Sequence, residues 1–176
     1  MSTRCSDMPD SELLGKILES GPEGTGPEPA VERTYRKFVI AGLVGATYAI
    51  PAALVREIVI DATVHYVPFV PPYIKGLVNR HGEPYAAIDL NVLLRKEAAE
   101  GEQTLLVLNG NEDRLALLVS GVHEIVKVDE ADVYPITEKE NQVGFLSGSV
   151  RLDGDDVFIV SIEGIKRRMD EDLETE

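Results

Sequence analysis

The 176-residue sequence predicts a mainly β protein made of two similar small β subdomains with short helices. Three observations predict it. The stretch Ile74–Leu94, IKGLVNRHGEPYAAIDLNVLL, reads as strand, tight turn at His81-Gly82, strand, and a helix start at Asp89, with Leu90, Leu93 and Leu94 at helical spacing. Leu146–Lys166 repeats that unit, with Gly76 and Gly148, Val78 and Val150, Gly82 and Gly154, and the cap residues Asp89 and Ser161 all separated by 72 residues. Upstream, Val55-Arg56-Glu57-Ile58-Val59 is echoed by Val122-His123-Glu124-Ile125-Val126 at a spacing of 67. Two copies at so long a period are not a solenoid, and the matches fall on turns and caps, where backbone geometry restricts the residue type.

In chain order, Asp10–Ser20 predicts a short amphipathic helix with Leu13, Leu14, Ile17 and Leu18 on one side and Gly21 as its stop. GPEGTGPEPAVE comes next and reads as a linker, since it offers too little apolar surface to offset the entropy of ordering it. Lys37–Leu43 and Thr47–Ile50 predict paired strands around Gly45, Pro51 breaks the run, and Leu54–Ile60 is a further strand. The prolines of Asp61–Pro72 stiffen the approach to the central hairpin. The helix opened by Asp89 is expected to stop by Gly101. Thr104–Leu108 and Leu115–Val119 are continuous apolar runs, the pattern of strands buried on both faces. Val122–Val128 continues the second subdomain after those two strands, DEADVYPITEKENQ is a polar connection, and the repeated hairpin and a helix bearing Ile162, Ile165, Met169 and Leu173 close it. Acidic residues oppose the dipole at that helix's end, so fraying is expected past Met169. The expected organisation is thus an N-terminal extension over 1–33, a folded domain over 34–169 and an acidic tail over 170–176.

Charge narrows the partners. Of the formal −14, residues 1–33 carry −4 and residues 170–176 carry −5, which leaves −5 for 34–169. An acidic chain without a basic stripe repels phosphate, so nucleic acid and membrane insertion are not expected. No apolar run is long enough to cross a bilayer and the N-terminus lacks a signal-peptide core, so the expected location is cytoplasmic. The single cysteine, Cys5, has no partner for a disulfide.

Catalytic patterns do not assemble. His65, His81 and His123 have no second ligand at zinc spacing, GPEGTG lacks the lysine of a phosphate loop, and Ser147-Gly148-Ser149 falls inside a strand rather than on a nucleophile elbow. LDGDDV lacks the spacing of a calcium loop and reads as a hairpin turn. No enzyme, metal or cofactor is expected from this sequence.

YIKGLVNRHGEPYAAIDL, from Tyr73 to Leu90, resembles the hallmark segment F-I-K-G-V-x-N-x-R-G-x-I-x-P-x-x-D-L of the CheW family of bacterial chemotaxis coupling proteins. Val55, Glu57 and Ile58 resemble the family's preceding V-x-E-I element, and LALLVSGVHEIVKVDEADVYPI and GFLSGSVRLDGDDVFIVSIEGI are similar to its second-subdomain strands and closing hairpin. The resemblance spans roughly Tyr35–Met169. It implies two SH3-like five-stranded β-barrels sharing a hydrophobic core, and a non-catalytic adaptor that binds the regulatory domain of a CheA-type histidine kinase and the cytoplasmic tip of a chemoreceptor. By motif position it places Val55, Glu57, Gly76, Asn79, His81 and Gly82 around the partner-binding groove.

Two departures stand out: His81 occupies the position of the family's arginine, with Arg80 beside it, and the proline before the D-L pair is replaced near Ala86, with Pro84 displaced. Strand alternation predicts that Arg80 points to the opposite face from residue 81 and cannot substitute for that arginine. The departures and the N-terminal extension suit a divergent member serving another chemosensory or motility array. A second reading is a CheW-like β-domain that regulates a different partner through its groove or its N-terminal helix. A third, a small-molecule or enzymatic barrel, requires a deep pocket with converging polar groups.

Overall fold

A computed structural model describes residues 30, 32–95, 97–110, 112–137, 139, 141 and 144–175. The helix expected over 10–20, the linker after it and Cys5 lie outside these residues. Among the described residues eleven strands form two sheets: β1 (Tyr35–Leu43), β2 (Ala46–Pro51), β3 (Val55–Ile60), β4 (Ile74–Arg80), β5 (Glu83–Asp89), β6 (Thr104–Leu108), β7 (Leu115–Val119), β8 (Gly121–Asp129), β9 (Val133–Pro135), β10 (Leu146–Leu152) and β11 (Asp155–Val160). A helix, α1 (Ile162–Glu174), comes after β11.

The first sheet has the order β3-β6-β7-β5-β4 and the second β8-β1-β2-β11-β10-β9. Matching β3 with β8, β4 with β10, β5 with β11, β6 with β1 and β7 with β2 superimposes the two orders, and the parallel contact falls at the equivalent place in each, β5 beside β7 and β11 beside β2. The N-terminal hairpin therefore completes the second sheet, and β9 adds a sixth strand at its edge. This corrects one expectation: Leu115–Val119 belongs to the first sheet, because the antiparallel partner of the apolar run Thr104–Leu108 is its immediate successor in sequence.

The duplication reaches single residues. His81 and Gly82 have φ of +54° and +84°, and Asp153 and Gly154 have +50° and +94°, the positive pair that a two-residue primed hairpin turn needs. Both hairpins shift register at the same point, between Ile74 and Gly76 and between Leu146 and Gly148. The Val-x-Glu echoes are also bulges, with Arg56 the extra residue on β3 and His123 on β8. The caps match as well: the Asp89 carboxylate accepts the Asn91 and Val92 N–H groups at 2.9 and 3.4 Å, and the Ser161 hydroxyl accepts the Gly164 N–H at 3.1 Å.

Beyond the caps the two halves diverge. After Asp89 there is one wide helical turn, Asn91–Arg95, instead of a helix reaching toward Gly101. Asn91 is fully buried on that turn, and its Oδ1 accepts the Val44 N–H at 2.8 Å and the Ser120 hydroxyl at 3.2 Å. Arg95 Nε donates to the Val44 carbonyl at 3.1 Å. After Ser161 the helix runs to Glu174 without the expected fraying at Met169, because Asp172 accepts from Arg168 and from the Tyr73 hydroxyl, each at 2.8 Å.

Three apolar clusters explain why β6 and β7 are buried throughout. Leu105, Val107, Ala116 and Leu118 fill the interior of the first barrel with Val78, Tyr85 and Ala87. Phe38, Ile40, Ala49, Val128, Val150 and Ile159 fill the second. The alternate residues of the same strands, Val39, Ala41 and Ile50 on one sheet and Leu106, Leu117 and Val119 on the other, form a third cluster shared between them. Each valine, leucine or isoleucine of this layer stabilises the fold by about 1.5–3 kcal/mol relative to exposure, so the shared layer locks the barrels together within the compact unit Thr34–Glu176.

Candidate partner-binding surface

The first sheet's two edge strands, β3 and β4, are not joined by a backbone ladder. Side chains span them instead. The Glu57 carboxylate on β3 takes Arg80 from the end of β4 on Oε1, and His81 Nε2 lies 3.5 Å from its Oε2. The alternation rule failed for Arg80 because it holds only within extended strand: His81 has left the strand for a left-handed turn conformation, so the two neighbours converge on one carboxylate. The Arg80 hydrogen bond above all holds the Glu57 carboxyl below the usual glutamate range, opposed by desolvation and helped to a lesser degree by the charges of Arg80 and His81. His81 itself remains two-thirds exposed.

A second polar chain runs beside this latch. Arg56 donates to the Tyr85 hydroxyl at 3.1 Å, that hydroxyl donates to Glu83 at 3.4 Å, and Arg114 donates to Glu83 at 3.1 Å. The equivalent positions of the second barrel carry Glu124 on β8 and Leu152-Asp153 at the hairpin, so the cation that could close it is missing there. The latch is a property of the first barrel.

The structure distributes the six motif residues unevenly. Glu57 and His81 meet. Asn79 and Gly82 share their turn, where the Asn79 Oδ1 accepts the Gly82 N–H at 3.1 Å, so this carbonyl stabilises the hairpin. Val55 is half-buried against the shared cluster, two residues along β3 from Glu57. Gly76 stands apart: it is buried at φ +145°, and a Cβ there would lie 2.0 Å from the His65 carbonyl oxygen, so it permits the backbone contact in which His65 and Leu77 exchange N–H···O bonds at 2.8 Å. Sequence reasoning missed Arg80, Arg56 and Tyr85. The signal for Arg80 was its place one residue before a positive-φ turn, where alternation ends.

Comparison with known proteins agrees with this architecture. Residues 37–169 match the family profile described as CheW-like domain. The chain is 25% identical over 124 residues to the chemotaxis protein CheW of Helicobacter pylori, covering 69% of this chain and 75% of that one. It is 23% identical over 103 residues to the chemotaxis protein CheW of Rhizobium meliloti, covering 56% and 66% of the two chains. The crystal structure of the scaffolding protein TtCheW from Thermoanaerobacter tengcongensis superimposes with a TM-score of 0.65 at 23% identity, over 73% of this chain and 90% of that one. With its doubled barrel, its motif residues and a profile match across most of its length, the chain belongs to the CheW-like domain family.

Proposed function

We propose that this protein is a non-catalytic chemosensory adaptor that couples a CheA-type histidine kinase to the cytoplasmic tip of a chemoreceptor in the cytoplasm. The observation that carries the reading is membership of the CheW-like family, with the motif residues Glu57 and His81 presented together at the open rim of one rigid barrel. An adaptor needs surfaces held in fixed relation, and the shared apolar layer supplies that rigidity while the hairpin rim supplies polar groups that set register on a partner. Val55, Glu57, Asn79, His81 and Gly82 are the residues we assign to that rim, with Gly76 holding the strand that carries it. In the same reading residues 34–169 are the coupling domain, α1 carries it on to Glu174, and residues 1–33 are an extension of it.

The test is reconstitution with purified components. The full chain should co-sediment with the kinase's isolated regulatory domain and with a receptor fragment containing the cytoplasmic tip, and should raise receptor-dependent kinase autophosphorylation. Absence of association with both partners from the same organism would overturn the proposal.

A further inference from the structure

The second sheet has an overhang that the first lacks. β2 ends at Pro51, opposite Phe38, while β1 starts three residues earlier and stays paired with β8 there: Tyr35 faces Asp129, Arg36 faces Val128 and Lys37 faces Lys127. Among the described residues, one edge of Tyr35–Lys37 therefore has no strand beside it. In the first sheet the equivalent strand, β6, begins at Thr104 with Val119 of β7 on one side and Ile60 of β3 on the other. The barrel closes without an overhang, so this one is an addition. A cleft of about 500 Å³ runs along the open edge, lined by Tyr35, Arg36, Lys37, Pro51, Ala52 and Ala53.

The charge at this notch runs against the rest of an acidic chain. Lys37 and Lys127 are exposed and directly opposed across β1 and β8, an arrangement that is unfavourable for like charges. The Lys127 ammonium lies 4.2 Å from the Tyr35 ring centroid and the Arg36 guanidinium 5.4 Å from that of Phe38. Among the described residues none of these three cations is within ion-pair distance of a carboxylate, whereas Lys75, Arg80, Arg114, Arg151, Lys166 and Arg168 each have one. The nearest acid in register, Asp129, uses Oδ1 to accept the Ala131 N–H at 3.0 Å.

We propose that this notch takes an acidic, extended peptide segment of a partner protein, which adds to β1 where β2 has stopped and sets the carboxylates of one face toward Lys37 and Lys127, with Arg36 on the opposite face. Strand addition supplies affinity through main-chain hydrogen bonds, the Pro51–Ala53 floor accepts a small apolar side chain, and the cations select for acid. The notch uses none of the Glu57–His81 rim, so the two sites succeed or fail separately.

The experiment measures anisotropy of a fluorescein-labelled decapeptide of alternating glutamate and valine on the full chain. Binding should weaken steeply with salt. Lys127→Glu turns the opposed lysines into a complementary pair, so it should raise thermal stability slightly while weakening the peptide about tenfold, and Lys37→Glu should weaken it comparably with the fold intact by circular dichroism. A decapeptide with alternate N-methylated amides should bind poorly if the segment pairs as a strand. Equal binding of a lysine-valine decapeptide, unchanged affinity in both variants, or full binding of the N-methylated peptide would overturn the proposal. So would self-association of the chain that Lys127→Glu abolishes, which would make a second copy the occupant.

Discussion

Glu57 and Arg80 form an ion pair between the two edge strands of the first sheet, which have no backbone ladder between them. With His81 at 3.5 Å from the same carboxylate, side chains complete a barrel that hydrogen-bonded strands leave open. The pair lies near the surface, so its effect is expected on the hairpin's order and on partner binding more than on global stability.

Acid titration checks the latch. The Glu57 carboxyl sits below its ordinary value of 4.5 when folded, so its contribution is complete above that pH and is lost as pH falls through the lower folded value. Glu57→Gln should show a flatter loss of stability below pH 4.5 than the parent in urea denaturation at stepped pH. Superimposable acid limbs would show that the carboxylate gains nothing from its cations.

Partner binding should respond to the cation at the turn. Arginine at the turn would carry a permanent charge and a bidentate fork that an imidazole lacks, so His81→Arg should tighten binding to an acidic receptor-tip site several-fold, and Glu57→Lys should weaken it without unfolding the chain. Calorimetric titration with the receptor fragment gives the answer. Identical affinities in the parent and both variants would remove these residues from the contact.

The glycines of the hairpin rank by geometry. Gly76→Ala combines positive φ with a Cβ 2.0 Å from backbone oxygen and should cost on the order of 2 kcal/mol or more. Gly82→Ala meets no atom within 4 Å and suffers only from its φ of +84°, so about 1 kcal/mol is expected. Chemical denaturation of the two variants should preserve that order.

Asn91 is a seam between the sheets. Asn91→Ala leaves the Val44 N–H without the acceptor it holds at 2.8 Å, at a cost of about 1–3 kcal/mol by denaturant midpoint. Hydrogen exchange at Val44 should accelerate in that variant, and an unchanged rate would show that the turn is held by other means.

Tyr73 ties the start of β4 to α1 through Asp172. Burial first, and then the Asp172 hydrogen bond, push its hydroxyl well above the ordinary value of 10.0, so its contribution is complete below that pH and is lost as pH rises toward the folded value. Tyr73→Phe should cost about 1 kcal/mol at neutral pH and flatten the alkaline limb of stability. Asp172 is held down by the same hydroxyl and by Arg168, so the variant should also lose part of the stability that is complete above the ordinary aspartate value of 3.8 and disappears as pH falls through the lower folded value.

Local pattern was enough to recover the hairpins at His81-Gly82 and Asp153-Gly154, the caps Asp89 and Ser161, and the double burial of Thr104–Leu108 and Leu115–Val119. Each depends on residues a few positions apart, through φ restrictions, side-chain capping and strand alternation. The 72-residue echo likewise announced a duplicated β fold, because equivalent turns demand equivalent glycines. Three-dimensional packing alone decided that β1 and β2 complete the second sheet, that one turn instead of a helix succeeds Asp89, and that Arg80 joins His81 on Glu57. Those outcomes depend on which apolar faces can be buried together and on groups brought close from distant parts of the chain, interactions with no counterpart in the spacing of neighbouring residues.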